Sequence, residues 1–136
     1  MKTPKIIYLS GPITGDKNFQ IKFRLAKRLF CERFSRENIR SGFIHNPAEN
    51  QPLEEMKKRK TESEIWAECM YRDVKTLTAI RDGDGYLILL PGWENSKGAC
   101  FERKLAVEWC IPIREIGDLF PEWDERLKKE MEAAGE

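Results

Sequence analysis

The chain has 136 residues, which is enough for one domain with a single core but not for two. Its 24 basic and 23 acidic residues give a net charge of +1, so no overall field favours a nucleic-acid polymer or an anionic membrane. No apolar run approaches the roughly 20 residues of a membrane span, and the N-terminal apolar segment is too short for a secretory signal. We therefore expect a cytoplasmic protein without membrane or nucleic-acid partners.

The cysteine spacing argues against a metal centre. The four cysteines are far apart and form no C-x-x-C pair, and the chain has a single histidine that could join them: Cys31, Cys69, Cys100 and Cys110. Reduced thiols are the better interpretation, so we expect no metal and no cofactor.

The first predicted strand runs from Lys5 to Leu9. It ends in Ser10-Gly11-Pro12, where glycine allows the backbone to approach a ligand closely. The same tripeptide is also a common turn, so a functional and a purely structural role remain equally open.

A helix and a second strand are expected next. Apolar residues at spacings of three and four predict an amphipathic helix from Asn18 to Phe34, with Asn18 as its N-cap. Gly42 to His45 is a short strand that ends before Asn46-Pro47, because the residue before a proline avoids the helical region. His45 thus lies near a strand's carboxyl end, where a histidine is more often structural than catalytic.

The polar segment from Ala48 to Thr61 ends in a basic run at residues 57–60. We interpret it as a loop over the ligand-binding edge, with a lid as one alternative. The basic run is either part of a solvated loop or a positively charged segment that attracts an anionic substrate.

The next predicted helix carries an acidic residue on its apolar side. It opens at Thr61 or Ser63, with Glu64 completing a capping box. Asp73 lies in the middle of the apolar stripe, which comprises Trp66, Cys69, Met70, Leu77 and Ile80. Burying a carboxylate without partners costs several kcal/mol, so Asp73 either caps a neighbouring backbone or belongs to a site. We favour the site.

The central strand and the helix after it supply a second carboxylate. Tyr86 to Leu90 is an unbroken apolar run, typical of a strand that is covered on both faces. Ser96 is placed to cap the following helix. Glu102 shares the apolar face of that helix with Ala99, Leu105, Ala106 and Trp109. Its place near the helix N-terminus favours the ionised form through the macrodipole.

Two elements complete the chain: a last edge strand at Ile111-Pro112-Ile113 and a terminal helix from Phe120 to Ala134 that covers the sheet or a partner subunit. The alternation of strands and helices predicts a three-layer α/β fold. Its sheet is parallel and flavodoxin- or Rossmann-like, with four to five strands and helices on both faces. We expect one domain over residues 1–136, with a core at about 5–116 and a C-terminal helix at 117–136.

In such folds ligands bind outside the carboxyl ends of the strands. Two loops should therefore line one crevice, the first with Tyr8, Ser10, Gly11 and Pro12, the second with Trp93, Asn95, Ser96 and Gly98. Paired carboxylates suit cleavage of a glycosidic bond, with a separation of roughly 5–9 Å around an accessible pocket. Carboxylates that are buried against separate partners would indicate a structural role instead.

These residues carry a resemblance to known proteins. Tyr8 to Gly15, Asn46-Pro47-Ala48, Asp73 and Leu89 to Glu102 resemble a phage and prophage family of unknown function (DUF4406-like). That family is similar to the nucleoside 2-deoxyribosyltransferase superfamily. The resemblance spans about Lys5 to Ile113.

The resemblance implies roles for particular residues. Glu102 matches the glutamate that attacks the anomeric carbon, and Asp73 matches the aspartate that assists the leaving base. Tyr8 and Gly11 match the lining of the sugar pocket, and Ser96 matches a serine that binds the 5′-phosphate. The implied partners are a small-molecule nucleoside or nucleotide and further copies of the chain, in a homodimer or higher homo-oligomer.

Three functional hypotheses follow. The first is a nucleoside 2-deoxyribosyltransferase-like enzyme or deoxynucleotide N-glycosidase. The alternative is a non-catalytic protein that binds or sequesters a nucleotide. The third is a structural phage protein in which Asp73 and Glu102 only cap backbone groups.

Overall fold

Four strands form one parallel sheet. The computed structural model describes residues 6–13, 15–34, 44–46, 61–82 and 85–135. The strands are β1 (Ile6–Ser10), β2 (Ile44–His45), β3 (Gly85–Leu89) and β4 (Ile113–Glu115), in the order β2-β1-β3-β4. All three pairings are parallel, so the predicted α/β class is confirmed. The predicted loop from Ala48 to Thr61 lies outside the described residues, except for Thr61.

Helices cover both faces of this sheet. They are α1 (Phe19–Arg33), α2 (Glu62–Asp82), α3 (Lys97–Glu108), α4 (Ile116–Leu119) and α5 (Trp123–Ala133), with a 3₁₀ turn at Trp93–Asn95. None of the described helices is long and apolar enough to cross a membrane.

The alternation of side chains along β1 separates two apolar cores. Ile7 and Leu9 point to a core formed with α1, α4 and α5. Tyr8 points to the opposite face, where it packs with side chains of α2 and α3 such as Leu77 and Ala106. Because successive residues of a strand face opposite sides, this alternation produces the three layers.

Two predicted helix caps are confirmed and one is wrong. Thr61 and Glu64 exchange side-chain-to-backbone hydrogen bonds in a capping box, and the Ser96 hydroxyl accepts from the Ala99 N–H at 3.2 Å. Asn18 makes no side-chain cap. Its own N–H instead donates to Asp16 at 2.9 Å, so a turn formed by Asp16 leads the chain into α1.

The C-terminal helix begins at Trp123, three residues after the predicted start at Phe120, and the short helix α4 precedes it. Phe120-Pro121-Glu122 separates α4 from α5, because proline lacks an N–H and pushes the preceding residue out of the helical region. Helix α5 packs on α1, with Trp123 buried and Arg126 paired to Glu32 at 3.1 Å.

The last strand begins two residues later than predicted. The Ile111 N–H donates to the Ala106 carbonyl at 2.9 Å and closes the end of α3, so it is not free to pair in the sheet. The predicted apolar stripe of α2 also differs at one end, since Trp66 is 38% exposed whereas Met70, Leu77 and Ile80 are buried.

Gly85 at the start of β3 provides a stability test. An added Cβ would lie 2.6 Å from Cγ2 of Ile80 and 2.8 Å from the backbone oxygen of Ile6. We expect Gly85→Ala to lower the free energy of unfolding by about 1–3 kcal/mol in urea denaturation, because the sheet backbone cannot move aside. Gly117→Ala is the control, since nothing lies within 4 Å of its Cβ position. Equal losses in the two variants would contradict this packing.

Candidate functional site

The sheet order creates a crevice between β1 and β3. The chain passes from β1 to β2 on one side and returns to β3 on the other, so the direction of winding changes at β1. In open α/β sheets ligands bind at such a switch point, outside the carboxyl ends of the strands. The structure therefore places the end of β1 where we expect a site.

Glu102 is fixed at this point by two hydroxyl groups. Tyr8 and Ser10 are two residues apart in β1 and face the same side, toward α3. The Tyr8 hydroxyl donates to Oε2 of Glu102, and the Ser10 hydroxyl donates to Oε1 at 2.7 Å. Ala99 and Ala106 flank Glu102 on the buried face of α3 and leave room for these contacts. Glu102 is only 5% exposed.

Asp73 meets Glu102 from the neighbouring helix. Its carboxyl group is near enough to both Glu102 and Tyr8 for its negative charge to raise the pKa of each. Tyr8 is a neighbour of both carboxyl groups, while Ser10 contacts only Glu102 and His45 contacts only Asp73 among the hydrogen bonds of the described residues. The side chain of Asp73 is 17% exposed, so it is the more accessible member of the pair.

Burial dominates the electrostatics of the pair. Removal from water, followed by the negative charge of Asp73, raises the pKa of Glu102 to about 8, although the hydroxyls of Tyr8 and Ser10 lower it in part. The expectation that the helix macrodipole keeps Glu102 ionised is wrong, because desolvation outweighs it. Burial and the charge of Glu102 likewise raise the pKa of Tyr8 well above its ordinary value. Near neutral pH the carboxyl pair thus holds one proton.

His45 is the member of the site that sequence reasoning treated as structural. It lies opposite Tyr8 in the register of β1 and β2, and its ring stacks on the Tyr8 ring at 4.4 Å between centroids. Its Nε2 is 3.3 Å from Oδ1 of Asp73. The one signal in the sequence was its position near the end of a strand.

Gly11 and Pro12 bring the two rim loops together. A Cβ on Gly11 would lie 2.8 Å from Cβ of Leu90, so this glycine permits close packing of the loops that follow β1 and β3. Pro12 lies beside Gly92, where an added Cβ would be 3.3 Å from the proline ring.

Three of the four predicted residues of the second rim loop have local structural partners. The Trp93 indole N–H donates to Glu115 at 3.3 Å, and the Arg103 guanidinium lies 5.1 Å from its ring centre. Ser96 caps α3 and Gly98 lies near the sulfur of Met70, while Asn95 is exposed. These residues form the connection from β3 to the start of α3, the helix that carries Glu102.

Within the described part of the chain, no group of three metal-ligating side chains is present. The cysteines at 31, 69, 100 and 110 are free. The described side chains at the end of β1 offer carboxyl, hydroxyl and imidazole groups.

The fold and the site together define a parallel α/β protein with a buried carboxyl pair at its switch point. The model of the family described as Domain of unknown function (DUF4406) matches residues 5–115, so the chain belongs to that family. No curated protein and no solved structure matches it.

The raised pKa of Glu102 makes folding depend on pH. A carboxyl whose folded-state pKa is raised stabilises the fold fully below its unfolded pKa, and this contribution is lost as pH rises through the folded pKa. The window therefore runs from about 4.3, the ordinary glutamate value, to about 8. We expect the unfolding free energy of the wild type to fall across this window, and Glu102→Gln to lack most of the fall.

Urea denaturation at several pH values measures this difference. Glu108→Gln, at an exposed position of the same helix, is the matched control and should follow the wild-type curve. Parallel pH dependences for the wild type and Glu102→Gln would contradict the raised pKa.

Proposed function

We propose that this protein cleaves the N-glycosidic bond of a deoxynucleoside or deoxynucleotide, as a nucleoside 2-deoxyribosyltransferase-like enzyme or a deoxynucleotide N-glycosidase. The observation that supports this is the buried Glu102 near the carboxyl end of β1, whose pKa is raised in part by the negative charge of Asp73. Cleavage of a glycosidic bond needs one ionised and one protonated carboxyl group, and a pair that holds a single proton supplies both.

The proposed reaction has two steps. The Glu102 carboxylate attacks the anomeric carbon, the bond to the base breaks, and Asp73 gives its proton to the leaving base. Water or a second base then attacks the same carbon and releases Glu102, while Asp73 takes a proton from the attacking group. Water as acceptor gives hydrolysis, and a base gives transfer.

The contact between the carboxyl groups offers a route for the proton. In the resting site the proton belongs on Glu102, whose pKa is about 8. In the proposed reaction, transfer of this proton to Asp73 ionises Glu102, and the hydrogen bonds donated by Tyr8 and Ser10 then stabilise the new carboxylate. The same transfer prepares Asp73 as the acid.

Further features support a small-molecule substrate. The net charge of +1 gives no general attraction to a nucleic-acid polymer. The free cysteines at 31, 69, 100 and 110 suit the cytoplasm. By the resemblance in sequence, we place the protein in the nucleotide metabolism of a phage or prophage, as a homodimer or higher homo-oligomer.

The burial of Glu102 favours a second candidate, a non-catalytic protein that binds or sequesters a nucleotide. Glu102 is 5% exposed and both of its oxygens accept hydrogen bonds from Tyr8 and Ser10. A nucleotide that binds at the loop of residues 93–98 need not displace these two hydroxyl groups.

Activity assays test the proposed enzymatic function. We expect the wild type to release or exchange a base from at least one member of a panel of deoxynucleosides and deoxynucleoside 5′-monophosphates, followed by chromatography with and without acceptor bases. Asp73→Asn should lower the rate by about 10²–10⁴-fold, the usual contribution of a general acid, and Glu102→Gln should reduce it to background. Glu108→Gln, at an exposed position in the last turn of α3, is the control that should retain activity.

The proposed enzymatic activity would be contradicted if the wild type releases no base from any substrate and Glu102→Gln behaves identically. In that case the binding hypothesis predicts that one of the same nucleotides stabilises the fold by RT ln(1 + [L]/Kd) in free energy, which is measured as a rise in melting temperature. The rise should be as large in Glu102→Gln as in the wild type.

A further inference from the structure

His45 connects the two halves of the carboxyl site. Its imidazole stacks on Tyr8, which donates to Glu102, and its Nε2 contacts Asp73. It is the chain's single histidine, and the proposed reaction gives it no step. Its place at the end of β2, opposite Tyr8, brings it to the site from the strand that contributes no other described group to the carboxyl pair.

The contacts of His45 differ from those of a histidine that only fills a core. Its side chain is 16% exposed and that of Asp73 is 17% exposed, so their contact is partly shielded from water. An N–H that donates to a carboxylate forms a charge-assisted hydrogen bond, which is stronger than a neutral one. Such a bond fixes the plane of the carboxyl group.

We propose that His45 is a positioning residue: its Nε2–H donates to Oδ1 of Asp73 and directs the other oxygen, Oδ2, toward the leaving base. This inference rests on the proposed function, because it gives Asp73 an orientation for the reaction described there. The hydrogen bond that one imidazole nitrogen makes determines where the proton resides, so Asp73 also selects the tautomer with hydrogen on Nε2.

The orientation matters because Asp73 has two oxygens and several neighbours. Tyr8 and Glu102 both contact its carboxyl group. Without His45, rotation about the carboxyl bond lets both oxygens turn toward these two groups and away from the base. A misplacement of about 1 Å in a catalytic group can lower a rate by about 100-fold.

Two substitutions separate the hydrogen bond from the stacking. His45→Phe keeps an aromatic ring against Tyr8 but lacks the N–H. His45→Gln loses the ring but places an amide N–H near the position of Nε2. We expect His45→Phe to lower kcat by about 10- to 100-fold with KM nearly unchanged, and its melting temperature to remain near that of the wild type. His45→Gln should recover most of the lost kcat.

A measurement without turnover tests the contact itself. Because the chain has a single histidine, its imidazole ¹⁵N–¹H signal needs no assignment. We expect a cross-peak from Nε2–H in the wild type, protected from exchange with water by Asp73. Asp73→Ala should abolish it.

The outcomes are distinguishable. A wild type that releases no base overturns the proposed function. If the wild type is active and His45→Phe has the same kcat, only the positioning role is overturned. The same holds if His45→Gln folds but is no more active than His45→Phe. A missing wild-type cross-peak, or one that persists in Asp73→Ala, overturns the hydrogen bond on which the role depends.

Discussion

The site depends on the hydrogen bonds that Tyr8 and Ser10 donate from β1 to the Glu102 carboxyl group of α3. A strand directs every second side chain to one face, so these two hydroxyls are aligned by the backbone of β1 without any special loop. They allow a carboxyl group to lie among the apolar side chains of the core beneath α2 and α3. The same two hydrogen bonds thus join α3 to the sheet and determine which chemical groups lie in the crevice.

Stability alone does not explain a buried carboxyl pair. Replacing buried ionisable groups by apolar residues is often neutral or stabilising, so such a pair is weak evidence for a structural purpose. Here two carboxyl groups from different helices meet at one point, and their mutual repulsion helps to raise the pKa of Glu102 to about 8. Groups with shifted pKa values cluster at functional sites, and the switch point of the sheet is where such a site is expected.

The sequence was sufficient for the fold class and for singling out the two acidic residues that lie on the inner faces of their helices. The unbroken run at Tyr86 to Leu90 and the helical spacing around Asp73 and Glu102 identified the parallel sheet and both acidic residues. The contacts of His45 with Tyr8 and Asp73 were not predicted because β2 has two residues, and its register against Tyr8 is a tertiary property that no local pattern encodes. The pKa of Glu102 was misjudged because the macrodipole is visible in the sequence, whereas desolvation depends on packing.

The protonation of the pair constrains any reaction at this site. With its proton on Glu102, the resting pair is a poor nucleophile but loses less stability to burial than two charges would. In the reaction that we propose, a substrate that draws the proton toward Asp73 creates the Glu102 carboxylate, and the hydroxyls of Tyr8 and Ser10 are already oriented to stabilise that charge. The reactive form would then arise only when the ligand is bound, so that the free protein stays unreactive.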